Sequence, residues 1–198
     1  MPILAEEPAL FPDWLLDETS GEPCERRWWV LYTKARQEKA LARQMLASKT
    51  PFYLPLVKKQ ILCRGRRFLA HIPVFSGYLF LYGSEPERIR ALATHRVVHV
   101  IEVPDPDGLR FELRQLRRLI IADAPLTVES RLAAGIRVRV RGGPLMGIEG
   151  TVLKRCGQTR LLVAVNFLQR GASVEIEDFL LEPIDEVPVS GRWHSQAG

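Results

Sequence analysis

With 198 residues, 46% of them hydrophobic and 26% charged, the chain can build one large or two small folded domains, and no apolar run reaches the roughly 20 residues of a membrane span. Three cysteines, Cys24, Cys63 and Cys156, lie far apart without a Cys-x-x-Cys pair, which argues against a zinc site or disulfide framework and for a reducing, cytoplasmic setting. The net charge of +5 hides an asymmetry: residues 1–25 carry seven acids and no Lys or Arg, so the remainder sets 28 basic groups against 16 acids, a balance suited to a polyanionic partner.

The opening residues 1–25 mix acids with Pro2, Pro8, Pro12 and Pro23 and lack sustained periodicity. They read as a mobile extension with one turn around Trp14 to Leu16, and their acids are unlike a secretory signal. Opposite in charge to the rest of the chain, the extension is expected to fold back over a basic surface. Trp28 to Tyr32 is β-prone and long enough for a buried strand. A helix comes next over Arg36 to Ser48, with Leu41, Ala42, Met45 and Leu46 as its buried stripe. Phe52 to Val57 is extended, Lys58 to Phe68 forms a basic hairpin turning near Gly65, and Ile72 to Tyr82 is the return strand. Between Glu38 and Glu85 there is no carboxylate, so Lys58, Lys59, Arg64, Arg66 and Arg67 form a one-signed surface suited to phosphates. Ser84 and Glu87 make a capping box for a helix with Ile89, Leu92 and Ala93 inside. After a strand around Val97 to Val103, Asp105-Pro106 opens a third helix with Leu109, Leu113, Leu116 and Ile120 inward.

Beyond Asp123 the pattern changes. Ala124-Pro125 begins a linker, and short strands succeed it at Ile136 to Val140, Gly150 to Lys154, Leu161 to Val165, Val174 to Ile176 and Phe179 to Leu181. Such close spacing marks a small β-barrel rather than βαβ units.

Two blocks in series resemble the NusG family of transcription factors, including specialised paralogues such as RfaH. The first joins Trp29-Val30-Leu31-Tyr32-Thr33 and Arg36-Gln37-Glu38-Lys39 to Pro55 and Phe75-Ser76-Gly77-Tyr78-Leu79, and looks like the family's NGN domain. The second, Val138 to Val152 with Gly143, Pro144, Gly147 and Gly150, looks like the KOW motif, where these four residues shape the turns. The resemblance implies an α+β chain: an NGN domain (residues 26–122; antiparallel sheet with flanking helices), a linker (123–133), an SH3-like KOW barrel (134–185) and a flexible tail (186–198).

It also implies partners. Tyr32, Phe75 and Tyr78 would line an apolar pocket for the clamp helices of the largest RNA polymerase subunit. The basic hairpin would lie near non-template DNA or nascent RNA at the upstream fork. Phe167 and Arg170 would meet a ribosomal small-subunit protein or the termination factor Rho. Two departures accompany the match: Ser76 replaces the usual proline, and Phe167-Leu168-Gln169-Arg170 replaces a housekeeping Phe-Gly-Arg pattern. With the acidic extension, they point to an operon-specialised antiterminator that acts as a monomer. The rival reading is an RNA-binding or ribosome-associated KOW protein that never touches polymerase.

Nothing in the residues resembles a catalytic or metal site. His71, His95, His99 and His194 are scattered, and no Gly-x-Ser-x-Gly, Walker loop or His-Glu-x-x-His occurs. The chain reads as a non-enzymatic protein without a cofactor.

Overall fold

The computed structural model describes residues 7–17, 25–63, 66–129, 131, 135–155 and 157–184. In its first half, strands β1 (Leu10–Phe11), β2 (Arg27–Thr33), β3 (Phe52–Tyr53), β6 (Tyr78–Gly83) and β7 (Val97–Glu102) form one antiparallel sheet in the order β1-β3-β6-β2-β7. Strands β4 (Leu56–Cys63) and β5 (Arg66–Pro73) pair only with each other, as a separate hairpin. Its turn at Gly65 lies outside the described residues. The expected single return strand is two, because β5 ends at Pro73 and β6 begins only at Tyr78.

Side chains alternate across the sheet, since successive strand residues point to opposite faces. Trp29, Leu31, Leu79 and Leu81 bury one face against α1 (Glu38–Ala47) and α2 (Glu85–Ala93). Trp28, Val30 and Phe80 bury the other against α3 (Pro106–Ile121). The Asp105 carboxylate accepts the Gly108 N–H at 2.9 Å and starts α3 where the sequence places it. Leu109, Leu113 and Leu116 are buried as expected.

Two helix faces differ from expectation. Leu46 is exposed, and the buried stripe of α1 is Glu38, Leu41, Ala42 and Met45. On α2, Ile89, Leu92 and Ala93 are exposed while Glu87 and Ala91 turn inward. The capping box causes this rotation. Glu87 accepts from the Ser84 N–H at 2.7 Å and the Ser84 hydroxyl at 2.9 Å, and Arg26 donates to it as well. Those contacts aim Glu87 at the sheet, so Ala91, one turn on, meets the core.

Over its described part, residues 7–17, the acidic extension packs against the first half of the chain. Strand β1 pairs with β3, the Leu54 N–H donates to the Ala9 carbonyl, and Leu15 and Leu16 are buried in the α3-side core. Glu7 pairs with Arg43 at 2.7 Å, and Asp17 with Arg117 at 3.2 Å. The acids therefore meet α1 and α3, and among the described residues none pairs with the hairpin.

The C-terminal half is a six-stranded antiparallel sheet built from β8 (Thr127–Glu129), β9 (Arg137–Val140), β10 (Glu149–Arg155), β11 (Gln158–Val165), β12 (Arg170–Glu175) and β13 (Leu181–Pro183), in the order β13-β9-β10-β11-β12-β8. Strand β8 comes from the expected linker and lies on the edge of β12, from Gly171↔Glu129 to Ser173↔Thr127. Arg160 fastens it by donating to Thr127 Oγ1 and Ser173 Oγ, while the Ser173 hydroxyl donates to Glu129. The connection between β9 and β10 turns at Gly143 and Gly147, whose φ values of 79° and 76° favour glycine. A Cβ at Gly150 would stand 2.4 Å from the Leu162 carbonyl, so the sheet can close there only over glycine.

Candidate functional site

At one end of the first sheet, three side chains form a row across neighbouring strands. Tyr32 on β2 stands opposite Tyr78 on β6 and His99 on β7. All three lie on the face that α3 covers. The tyrosine rings sit 5.2 Å apart, tilted by 52°, and Tyr32 is 40% exposed. Paired aromatic rings at a surface offer large apolar area at small entropic cost, the chemistry of an interface anchor. Tyr78 is half-buried, and His99 is exposed.

Phe75 stands apart from this pair. It is fully buried and meets Phe80 edge-on at 6.3 Å, inside the core beneath the row. Of the three rings expected to line a pocket, two reach the surface together, and Phe75 supports them from below.

The turn that delivers Tyr78 is tightly defined. Gly77 has φ 86°, and a Cβ there would lie 2.9 Å from Tyr32 Cε2. The Gly77 N–H donates to Glu38 Oε1 at 2.7 Å, and the Gly77 carbonyl accepts from the Thr33 N–H at 2.7 Å. Thus Ser76, in place of proline, leaves a bend that glycine and hydrogen bonds define.

The C-terminal sheet packs directly over this region. The Arg170 guanidinium lies 5.2 Å above the Tyr78 ring, and Phe167 packs against the same core that holds α3. Glu112 on α3 accepts from the Asn166 N–H at 3.1 Å and from its side-chain amide. Arg118 donates to the Met146 and Gly147 carbonyls, and Gln115 accepts from the Glu149 N–H at 3.4 Å. Burial holds the Glu112 carboxyl above its ordinary range, against the lowering effect of the Asn166 donors. Phe167 and Arg170, expected to meet a separate partner, are here turned toward the first half of the chain.

The hairpin projects the basic residues. Lys58, Lys59 and Arg67 are exposed and form no ion pair among the described residues. Arg66 lies on β5, and Arg64 falls outside the described residues. Interleaved with them are Leu62 and Leu69, 73% and 60% exposed and diagonal neighbours on one hairpin face. Charge counting did not reveal this apolar pair, although the alternation Lys58, Gln60, Leu62 carried it. Between the hairpin base, the end of α3 and the chain leading to β8 runs a cleft of about 1030 Å³, lined by Val57, Ile72, Ile121 and Leu126 with Lys58 and Lys59. No group of three or more His, Cys, Asp or Glu side chains among the described residues could hold a metal ion. No helix among them is long and apolar enough to cross a membrane.

Residues 26–109, which carry the aromatic row, the Gly77 turn and the hairpin, match the family described as NusG, transcription termination factor nusG. Over these residues the chain is similar to the NusG-type family. A comparison with curated proteins gives no match. Among solved structures, one described as "Domain interaction in Thermotoga maritima NusG" is similar at 16% identity with a TM-score of 0.46, covering 81% of this chain and 98% of that one. The match supports a transcription factor role in general.

Proposed function

We propose that this chain is a NusG-type elongation factor that grips the clamp helices of RNA polymerase with Tyr32 and Tyr78 and suppresses pausing or termination. The supporting observation is the pair of rings open at the end of the sheet, set above a buried Phe75 and locked by the Gly77 turn. A bridge across the polymerase needs only binding energy that differs between paused and elongating states. Residues 26–122 form the polymerase-binding domain, and 134–185 form the KOW domain that recruits a second partner. The hairpin lies along nucleic acid at the upstream fork, where Lys58, Lys59 and Arg67 neutralise phosphates without reading sequence.

Because Arg170 covers one side of Tyr78, full engagement requires the KOW domain to move aside. The same movement frees Phe167 and Arg170 for their own partner, so both surfaces open together. The departures at Ser76 and Gln169, with the packed acidic strap, favour an operon-specialised antiterminator over a housekeeping factor. A pull-down with the full chain tests the reading. Wild type is expected to retain core RNA polymerase, and Tyr78→Ala, with its circular dichroism unchanged, to retain about tenfold less, as for loss of one aromatic anchor. Capture of ribosomes or RNA alone, with polymerase binding absent from both, supports the rival KOW-protein reading.

A further inference from the structure

Glu38 opens α1, yet it does not cap that helix. The N-cap is Gln37, which makes no side-chain capping bond. A carboxylate in the first turn is favoured by the positive end of the helix dipole, but Glu38 is also only 6% exposed. A buried charge is tolerated where donors hold it. The donor here is the Gly77 N–H, 39 residues away in sequence and 2.7 Å away in space.

Gly77 is thus held on both sides, its N–H by α1 and its carbonyl by the Thr33 amide on β2. The β2–β7 register shifts between Tyr32 and Thr33, so Tyr32 is the last β2 residue in regular register with β7, beside the turn that carries Gly77. Its ring lies against Gly77, and Tyr78 is the next residue after Gly77. Three hydrogen bonds hold this turn, since the Tyr78 N–H also donates to the Phe75 carbonyl at 3.1 Å, and the Glu38 bond is the one among them made by a side chain.

We propose that Glu38 is the positioning residue of the docking recess: its carboxylate, without touching polymerase, holds the Gly77 peptide in the orientation that sets Tyr32 against Tyr78. The proposal rests on the reading that this pair docks polymerase. What matters is an acceptor at this point rather than a charge, so glutamine can replace glutamate and alanine cannot.

The test uses the full-length chain as Glu38→Ala, Glu38→Gln and Tyr78→Ala, with two measurements: hydrogen exchange at the Gly77 amide by NMR, and affinity for core RNA polymerase. Glu38→Ala is expected to speed exchange and weaken affinity, each about tenfold, as for loss of one hydrogen bond to a charged group. Glu38→Gln is expected to keep both within about threefold of wild type, since its amide oxygen still accepts. If Glu38→Ala does not fold, Glu38→Leu fills the space without an acceptor and gives the same comparison. Unchanged Gly77 exchange in the alanine or leucine variant overturns the proposal, as does a glutamine variant as impaired as alanine. If Tyr78→Ala weakens binding and Glu38→Ala does not, the positioning role falls. If Tyr78→Ala leaves affinity unchanged, the docking reading falls, and Gly77 exchange alone then decides whether Glu38 holds the turn.

Discussion

Glu87 shows how one side chain sets the pose of an element. It accepts from both Ser84 donors and from Arg26, and Arg90 stands 3.9 Å away. Burial pushes its carboxyl up, but the Ser84 amide and hydroxyl and Arg26 outweigh burial and hold it below the ordinary carboxylate range. A folded pKa below the unfolded value means that the native state holds the proton less tightly. The stabilisation is therefore complete above the ordinary carboxylate pKa and is lost as pH falls through the depressed value. Glu87→Gln is expected to cost about 2 kcal/mol at neutral pH, and the gap to wild type should shrink as acid protonates the native carboxylate. Denaturant titrations at pH 7 and pH 3 check this, and a gap independent of pH contradicts it.

At the scale of elements, the strap before Arg26 and the basic hairpin behave differently. Leu16 is fully buried and lies in the core that α3 and the sheet share. Leu16→Ala should therefore cost about 2–5 kcal/mol, as core truncations do. A thermal midpoint equal to wild type would show the strap to be dispensable. The hairpin, by contrast, pairs with neither sheet, and its lysines form no ion pair among the described residues. Lys58→Ala with Lys59→Ala is expected to lower the slope of log affinity for single-stranded DNA against log salt by about one for each phosphate no longer neutralised. An unchanged slope in anisotropy titrations removes these lysines from the nucleic-acid surface.

Much of this was legible in the sequence wherever one local rule acted alone. The Asp105-Pro106 start, the Ser84–Glu87 box and the turn glycines of the β9–β10 connection each answer to backbone chemistry within a few residues. The misreadings arose where a distant partner overrode the local pattern. Ile89 and Leu92 have helical spacing, but Glu87 and its three donors turned them outward. The strap lacks periodicity because it packs as an extended segment, held by Leu15, Leu16 and the β3 edge rather than by a repeating face. Glu38 was visible as part of a motif, while its bond to Gly77 exists only once α1 and the sheet have come together. The same holds for Arg170, which was expected at a surface of its own and lies on Tyr78.

For the whole molecule, the central feature is that α3 serves two sheets. Its apolar side lies in one cluster with buried residues of both, while Glu112, Gln115 and Arg118 reach backbone and side-chain atoms of the second. These polar contacts border buried apolar side chains of the second sheet, among them Val138, Leu161 and Val163, which join α3 in one core cluster. The rings that would meet polymerase are thereby half covered yet remain reachable. The direct measurement is site-specific photocrosslinking with a benzophenone amino acid in place of Tyr32, in complex with core RNA polymerase. A crosslink to the clamp helices of the largest subunit is the expected result. An adduct confined to another subunit or to nucleic acid, in a chain that still binds polymerase, would contradict it.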